Sequence, residues 1–117
     1  MKKRKYHLTR HAAIILHEIY TRSLNQWGQG RADKYMVELY AAMMKAAAKP
    51  EIGRLRAHRT APFLMIPAGQ HFIVYDRLGH DIVILTLLHQ RRDIERIVTD
   101  LTPAFLAEIL ALREGGV

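Results

Sequence analysis

Apolar positions change their period twice along this chain of 117 residues. Near the N-terminus Tyr6 and Leu8 alternate with polar neighbours, which predicts a short opening strand. From Ala12 the interval lengthens. Ala12, Ile15, Leu16, Ile19 and Trp27 recur at helical spacing behind Thr9, whose hydroxyl suits a helix N-cap. After Gly28 and Gly30 a second helical run, Ala32, Tyr35, Met36, Leu39, Tyr40, Met43 and Ala47, continues to Lys49-Pro50. A connection this short lays two amphipathic helices side by side, so residues 10–48 are predicted to form a helical hairpin.

Beyond Pro50 the period shortens. Residues 54–66, 71–76 and 81–88 are strand-like runs separated by Pro67-Ala68-Gly69 and Leu78-Gly79-His80, which predicts a hairpin-linked, three-stranded antiparallel meander. The last run, Asp81 to Leu88, is apolar on both faces, as a central strand covered on both sides would be. Pro62 points to an edge or a bulge. Helical spacing returns in Ile94, Ile97, Val98 and Leu101, and Thr102-Pro103 has the form of a cap and first turn for a helix reaching Leu112. The expected fold is α+β: an N-terminal strand, the helical hairpin, the meander and one or two C-terminal helices, in a single domain over 1–117 with its core at about 3–93 and a helical extension at 94–113. Matching periods suggest that Ile15, Ile19, Trp27, Tyr35 and Leu39 pack on a sheet face carrying Phe72, Val74, Val83 and Leu85.

Composition narrows the class further. Half the residues are hydrophobic and a quarter charged, which argues against wholesale disorder. The chain has no cysteine, so disulfides, thiolate nucleophiles and Cys-based zinc sites drop out, in keeping with a cytoplasmic location. The longest apolar stretches fall far short of a membrane span, and the run after the basic N-terminus is broken by His17 and Glu18, so neither a membrane nor a secretion signal is expected. The net charge of +7 is unevenly spread: residues 1–92 hold sixteen Lys/Arg and six Asp/Glu, residues 93–117 two and five. A basic body of this kind favours an acidic protein surface or nucleic acid.

Several short motifs then occur in a recognisable order. Tyr6-x-Leu8-Thr9 enters a helix with Ala12; Trp27-Gly28 is followed by Ala32-Asp33-x-Tyr35; then come Pro50-x-Ile52-Gly53-Arg54, His71-x-Ile73-Val74-Tyr75, and Ile84-Leu85-x-Leu87-Leu88-His89-x-Arg91-x-Asp93. Together they resemble the RelE/ParE toxin superfamily of type II toxin-antitoxin systems, and ParE-like members in particular. The resemblance implies two helices packed on a largely antiparallel sheet, a cognate antitoxin as partner, and growth arrest through binding of DNA gyrase. The alternatives it leaves are a RelE-like endoribonuclease acting on messenger RNA at the ribosome, and a non-toxic relative that binds an antitoxin alone. Against the RelE pattern, Ala61 to Ile66 holds no Lys or Arg, Phe72 stands where an arginine would be expected, and no tyrosine follows Tyr75. Metal-free RNA cleavage needs groups that activate the 2'-hydroxyl, stabilise the phosphorane and protonate the leaving oxygen. A His-based set of His71, Tyr75, His89 and Arg91 is the fallback for such chemistry.

His89, Gln90, Arg91 and Arg92 emerge where a buried strand reaches solvent and form the expected rigid polar cluster; for a binding protein His89, Arg91 and Arg92 are the expected target contacts, and Arg54 and Arg56 add two cations at alternate strand positions. Apolar residues that the core stripes do not absorb, Ile14, Tyr20, Leu24, Tyr40 and Met44, are the expected antitoxin surface. No cofactor is expected: Gly28-x-Gly30-x-x-Asp33 follows a helix rather than a strand, so it reads as a turn and not as a phosphate loop. No metal is expected either, since His7 and His11 straddle a strand-helix boundary. Met36, Met43 and Met44 suit adaptable packing or a partner groove.

Overall fold

The computed structural model describes residues 3–56 and 63–91, Arg56 by its backbone only. The expected C-terminal helices at 94–113, the edge role of Pro62 and the position of Arg92 lie outside the described residues. The chain opens with strand β1 (Tyr6–Leu8), followed by helices α1 (Arg10–Trp27) and α2 (Gln29–Ala48), a 3-10 turn at Pro50–Ile52, and strands β2 (Arg54–Arg56), β3 (Phe63–Ala68), β4 (His71–Leu78) and β5 (Asp81–His89).

Thr9 starts α1 as its sequence context suggested: its hydroxyl accepts the Ala12 N–H and donates to the Leu85 carbonyl, each at 3.0 Å. One residue therefore caps the helix and ties it to β5. Gly28 alone makes the turn between the helices. At φ 87° it adopts a conformation that L side chains rarely take, its N–H donates to Leu24 O, and its own carbonyl accepts from Ala32. Gly30, read from sequence as part of the link, is already inside α2.

The five strands lie in the order β1-β5-β4-β3-β2, with β1 parallel to β5 and the other pairings antiparallel. The run expected over 54–66 divides into β2 and β3, so the meander gains a short edge strand. Pro67 is tolerated in β3 because the pairing with β2 covers Phe63 to Met65 and stops two residues short of it. Two-residue turns led by Gly69 (φ 57°) and Gly79 (φ 60°) close the β3-β4 and β4-β5 hairpins.

Both helices pack on one side of the sheet. Ala12, Leu16 and Ile19 from α1 and Leu39, Met43, Ala46 and Ala47 from α2 meet Ile66, Ile73, Tyr75, Ile82, Ile84 and Leu87. Here the sequence expectation needs correction. Phe72, Val74, Val83 and Leu85 belong to the other side of the sheet, in a separate cluster with Phe63, Met65 and Leu78. Alternation in β5 could not decide the side because both faces are apolar, and a register shift adds to the ambiguity: Val74 pairs with Thr86 and Tyr75 with Ile84, leaving Leu85 as the extra residue of a bulge. On the helical half, Ile19 and Leu39 are buried and Ile15 and Tyr35 pack against the core as expected.

Candidate functional site

Polar side chains gather at the end of β5, and the elements around it contribute more of them than β5 does. Three turns converge there: the α1-α2 turn, the β3-β4 turn and the exit of β5. Gln90 joins two of them, with its backbone N–H donating to Gln70 O at 2.9 Å and its side-chain amide donating to the Gly69 and His71 carbonyls, each at 3.1 Å. The third is joined by Tyr35 of α2, whose oxygen accepts the Gln70 N–H at 2.9 Å. The same oxygen lies 2.6 Å from His71 Nδ1, a hydrogen bond whose direction follows the His71 tautomer.

Gly69 is what lets Tyr35 approach. A Cβ at that position would fall 2.4 Å from the Tyr35 ring, and the positive φ disfavours a side chain as well. Burial raises the Tyr35 phenol above its ordinary value, with the Gln70 N–H opposing the shift, so it stays neutral.

Aromatic rings run outward from this centre. His71 and His89 are cross-strand partners with rings 5.3 Å apart and nearly perpendicular. Tyr35 meets Trp27 edge-on at 6.2 Å, and the Arg31 guanidinium lies 5.6 Å from the Trp27 ring centre. Arg91 is exposed, and its backbone N–H donates to His89 Nδ1 at 3.2 Å, which orients that imidazole. The corner is thus an aromatic and imidazole floor with Arg31 and Arg91 beside it, suited to carboxylates or phosphates on a partner surface. Of these residues the sequence suggested His89, Gln90 and Arg91 as a polar cluster and His71 in the fallback set. Trp27, Arg31 and Tyr35 were not expected as site residues, because Trp27 and Tyr35 read as core positions by period.

The remaining candidates are not brought together. Tyr75 is fully buried and donates to the Pro50 carbonyl at 2.7 Å, with Gly53 leaving room for its ring. Burial raises its phenol too. It sits four positions along β4 from His71, about 13 Å away along the strand, so it cannot share a scissile phosphate contact with His71 and His89. Arg54 is exposed on β2, three strands or about 14 Å across the sheet from β5. Arg54 and Arg56 pair in register with Met65 and Phe63, well away from the corner.

The expected antitoxin residues also divide. Ile14, Leu24, Tyr40 and Met44 are exposed, with Met44 the most open at 63%. Leu24 stands ten positions beyond Ile14, about 80° round α1, so the two do not share one stripe. Tyr20 is half-buried and donates to Asp33 at 2.8 Å, clipping the hairpin; that carboxylate raises its phenol. Val37, not anticipated, continues the Tyr40 and Met44 stripe of α2 at 66% exposure. This stripe leads to a groove of about 720 Å³ between α2 and the chain entering β1, with Tyr6, Met44 and Ala47 on its apolar floor and Lys3, Arg4 and Lys5 along it. Among the described residues β1 is a terminal strand of the sheet. Of the methionines expected to act together, Met43 is core, Met36 half-buried and Met44 exposed.

Among the described residues, no group of three or more His, Cys, Asp or Glu could hold a metal ion, and no helix is long and apolar enough to cross a membrane.

Comparison with known proteins gives a consistent set of relatives. The family described as "ParE toxin of type II toxin-antitoxin system, parDE" matches residues 6–94. Toxin ParE1 of Mycobacterium tuberculosis (strain ATCC 25618 / H37Rv) is 33% identical over 93 residues, covering 79% of this chain and 95% of that protein. Toxin ParE1 of Caulobacter vibrioides is 33% identical over 85 residues, covering 73% and 88%. A solved chain of the "Chromosomal ParDE TA system from P. aeruginosa" superposes with a TM-score of 0.64 at 18% identity, over 74% of this chain and 96% of that one, a likeness of fold.

Proposed function

The chain belongs to the ParE toxin family of type II toxin-antitoxin systems, and from that premise we propose that it arrests growth by binding DNA gyrase and is neutralised by a cognate antitoxin. The observation that carries the binding reading is the corner at the end of β5. Gln90 and Tyr35 are held by backbone groups of the β3-β4 turn and of His71, and the His71 ring is hydrogen-bonded to the Tyr35 phenol. Such a surface is preorganised to bind, while Tyr75, the tyrosine that a His-based nuclease would draw on, is committed to the Pro50 carbonyl. Arg31 and Arg91 offer the cations for an acidic target surface or for DNA held by the enzyme.

The antitoxin is assigned to the opposite end of the sheet. The groove beside β1 pairs an apolar floor with Lys3, Arg4 and Lys5, which suits an acidic, amphipathic segment lying along α2. The target corner and the groove sit near opposite ends of β5, about 26 Å apart along the strand, so an antitoxin in the groove must extend or act at a distance to block the corner.

Two assays run side by side test the reading. Purified protein is expected to inhibit gyrase supercoiling and to leave ribosome-bound messenger RNA intact. Cleavage at the ribosome with unaffected supercoiling would replace this function by the RelE-like one, and induction without growth arrest would favour the non-toxic relative.

A further inference from the structure

Helix α2 carries a second apolar stripe that its own core does not use. Val37, Ala41, Met44 and Ala48 are all exposed, Val37 at 66% and Met44 at 63%. They alternate steps of four and three residues, the spacing of a coiled-coil seam, and fall within about 60° of arc around the helix. Leu39, Met43 and Ala46, which pack into the core, lie on the far side of the same helix. A seam of this spacing on an exposed helix face is a surface for another helix.

The seam complements itself. In an antiparallel pair of α2 helices with a two-fold axis between Ala41 and Met44, Val37 of one copy lies opposite Ala48 of the other, and Ala41 opposite Met44. Each larger side chain then meets a small one, so the layers interdigitate. The charges beside the seam agree with this pairing. Glu38 and Lys45 are exposed on one flank, and in the antiparallel arrangement Glu38 of each copy comes beside Lys45 of the other, giving two symmetric contacts of opposite charge. A parallel pair would instead stack Met44 on Met44 and set Asp33 beside Glu38. Lys34, at the next seam position, ends the apolar contact, which spans about 17 Å of helix from Val37 to Ala48. So short a seam fits a weak, concentration-dependent dimer and not an obligate one.

We propose that the free chain self-associates through α2, two copies pairing antiparallel along Val37, Ala41, Met44 and Ala48 with Glu38 of each against Lys45 of the other. Met44 also lines the groove proposed for the antitoxin, so a bound antitoxin and a second copy would draw on the same side chain.

Sedimentation equilibrium of the purified chain at low ionic strength tests this without gyrase or antitoxin, so its failure leaves the target reading standing. The parent chain is expected to pass from monomer to dimer as its concentration rises. Glu38→Lys alone and Lys45→Glu alone each turn both contacts into like-charge pairs and should weaken association about tenfold or more, with circular dichroism unchanged. Mixing the two variants restores opposite charges at both contacts, so the mixture should recover the dimer. A parent chain that stays monomeric would overturn the proposal and leave the stripe to a partner of another kind. So would single variants that dimerise like the parent, or a mixture that stays as dissociated as its components.

Discussion

Gly69 shows how much can depend on one missing side chain. Substituting alanine would force a left-handed backbone onto an L residue and drive a methyl into the Tyr35 ring; the expected cost is about 2 kcal/mol or more, read from denaturant unfolding. Tyr35→Phe isolates the polar part of that arrangement by leaving the Gln70 N–H and His71 Nδ1 without the hydroxyl, with an expected loss of about 1 kcal/mol. If Gly69→Ala and Tyr35→Phe were both neutral, the corner would not be preorganised as described. Asp81 offers a test by pH. Hydrogen bonds from the His7 ring and then the Lys5 N–H hold its carboxyl below the ordinary value of 3.8. A lowered folded-state value means that the stability contributed by this tether is fully present above the ordinary carboxylate range and is lost as the pH falls through the folded value. Asp81→Asn should therefore lower the unfolding midpoint slightly at pH 7, with the difference from the parent chain closing on acidification below about pH 4. These residues differ in how well the sequence reveals them. His89 and Arg91 could be placed because a buried run ends just before them. Tyr35 and Trp27 could not, since an aromatic at a core period looks the same whether its edge is packed away or shared with a histidine on a distant strand.

At the scale of elements, periodicity was informative wherever one face differed from the other. The helical stripes and the Thr9 cap were visible for that reason, and Thr9→Ala should cost about 1–2 kcal/mol because it removes the cap and also leaves the Leu85 carbonyl without its donor. A thermal midpoint unchanged by Thr9→Ala would contradict that double role. Where the two faces were alike, the same reasoning failed. β5 is apolar on both sides, so Val83 and Leu85 were as plausible beneath the helices as Ile82 and Ile84, and the choice lies in the pairing of β4 with β5 and in the bulge at Leu85. Short β2 was hidden for another reason: a three-residue strand has too few positions to show a period, and only its register with Met65, Leu64 and Phe63 distinguishes it from the start of β3.

For the whole molecule, the division of surfaces matters more than any one contact. The helices cover one face of the sheet, the groove beside β1 lies near one end of the central strands, and the His71-His89 corner lies at the other. The order of motifs along the sequence was enough to point to the family, because those motifs sit at turns and strand ends whose geometry the fold requires. The surfaces were less readable, since they join residues distant in sequence, such as Tyr35 with His71, 36 positions away. The central claim is that the β5 corner engages gyrase, and a supercoiling assay titrated with the intact chain and with an Arg91→Glu, Arg92→Glu variant tests it most directly. Inhibition by the intact chain, lost in a variant that keeps its circular dichroism and its antitoxin binding, is the result expected from like-charge repulsion at an acidic or DNA-bearing surface; supercoiling unaffected by the intact chain, or inhibited equally by both proteins, would contradict it.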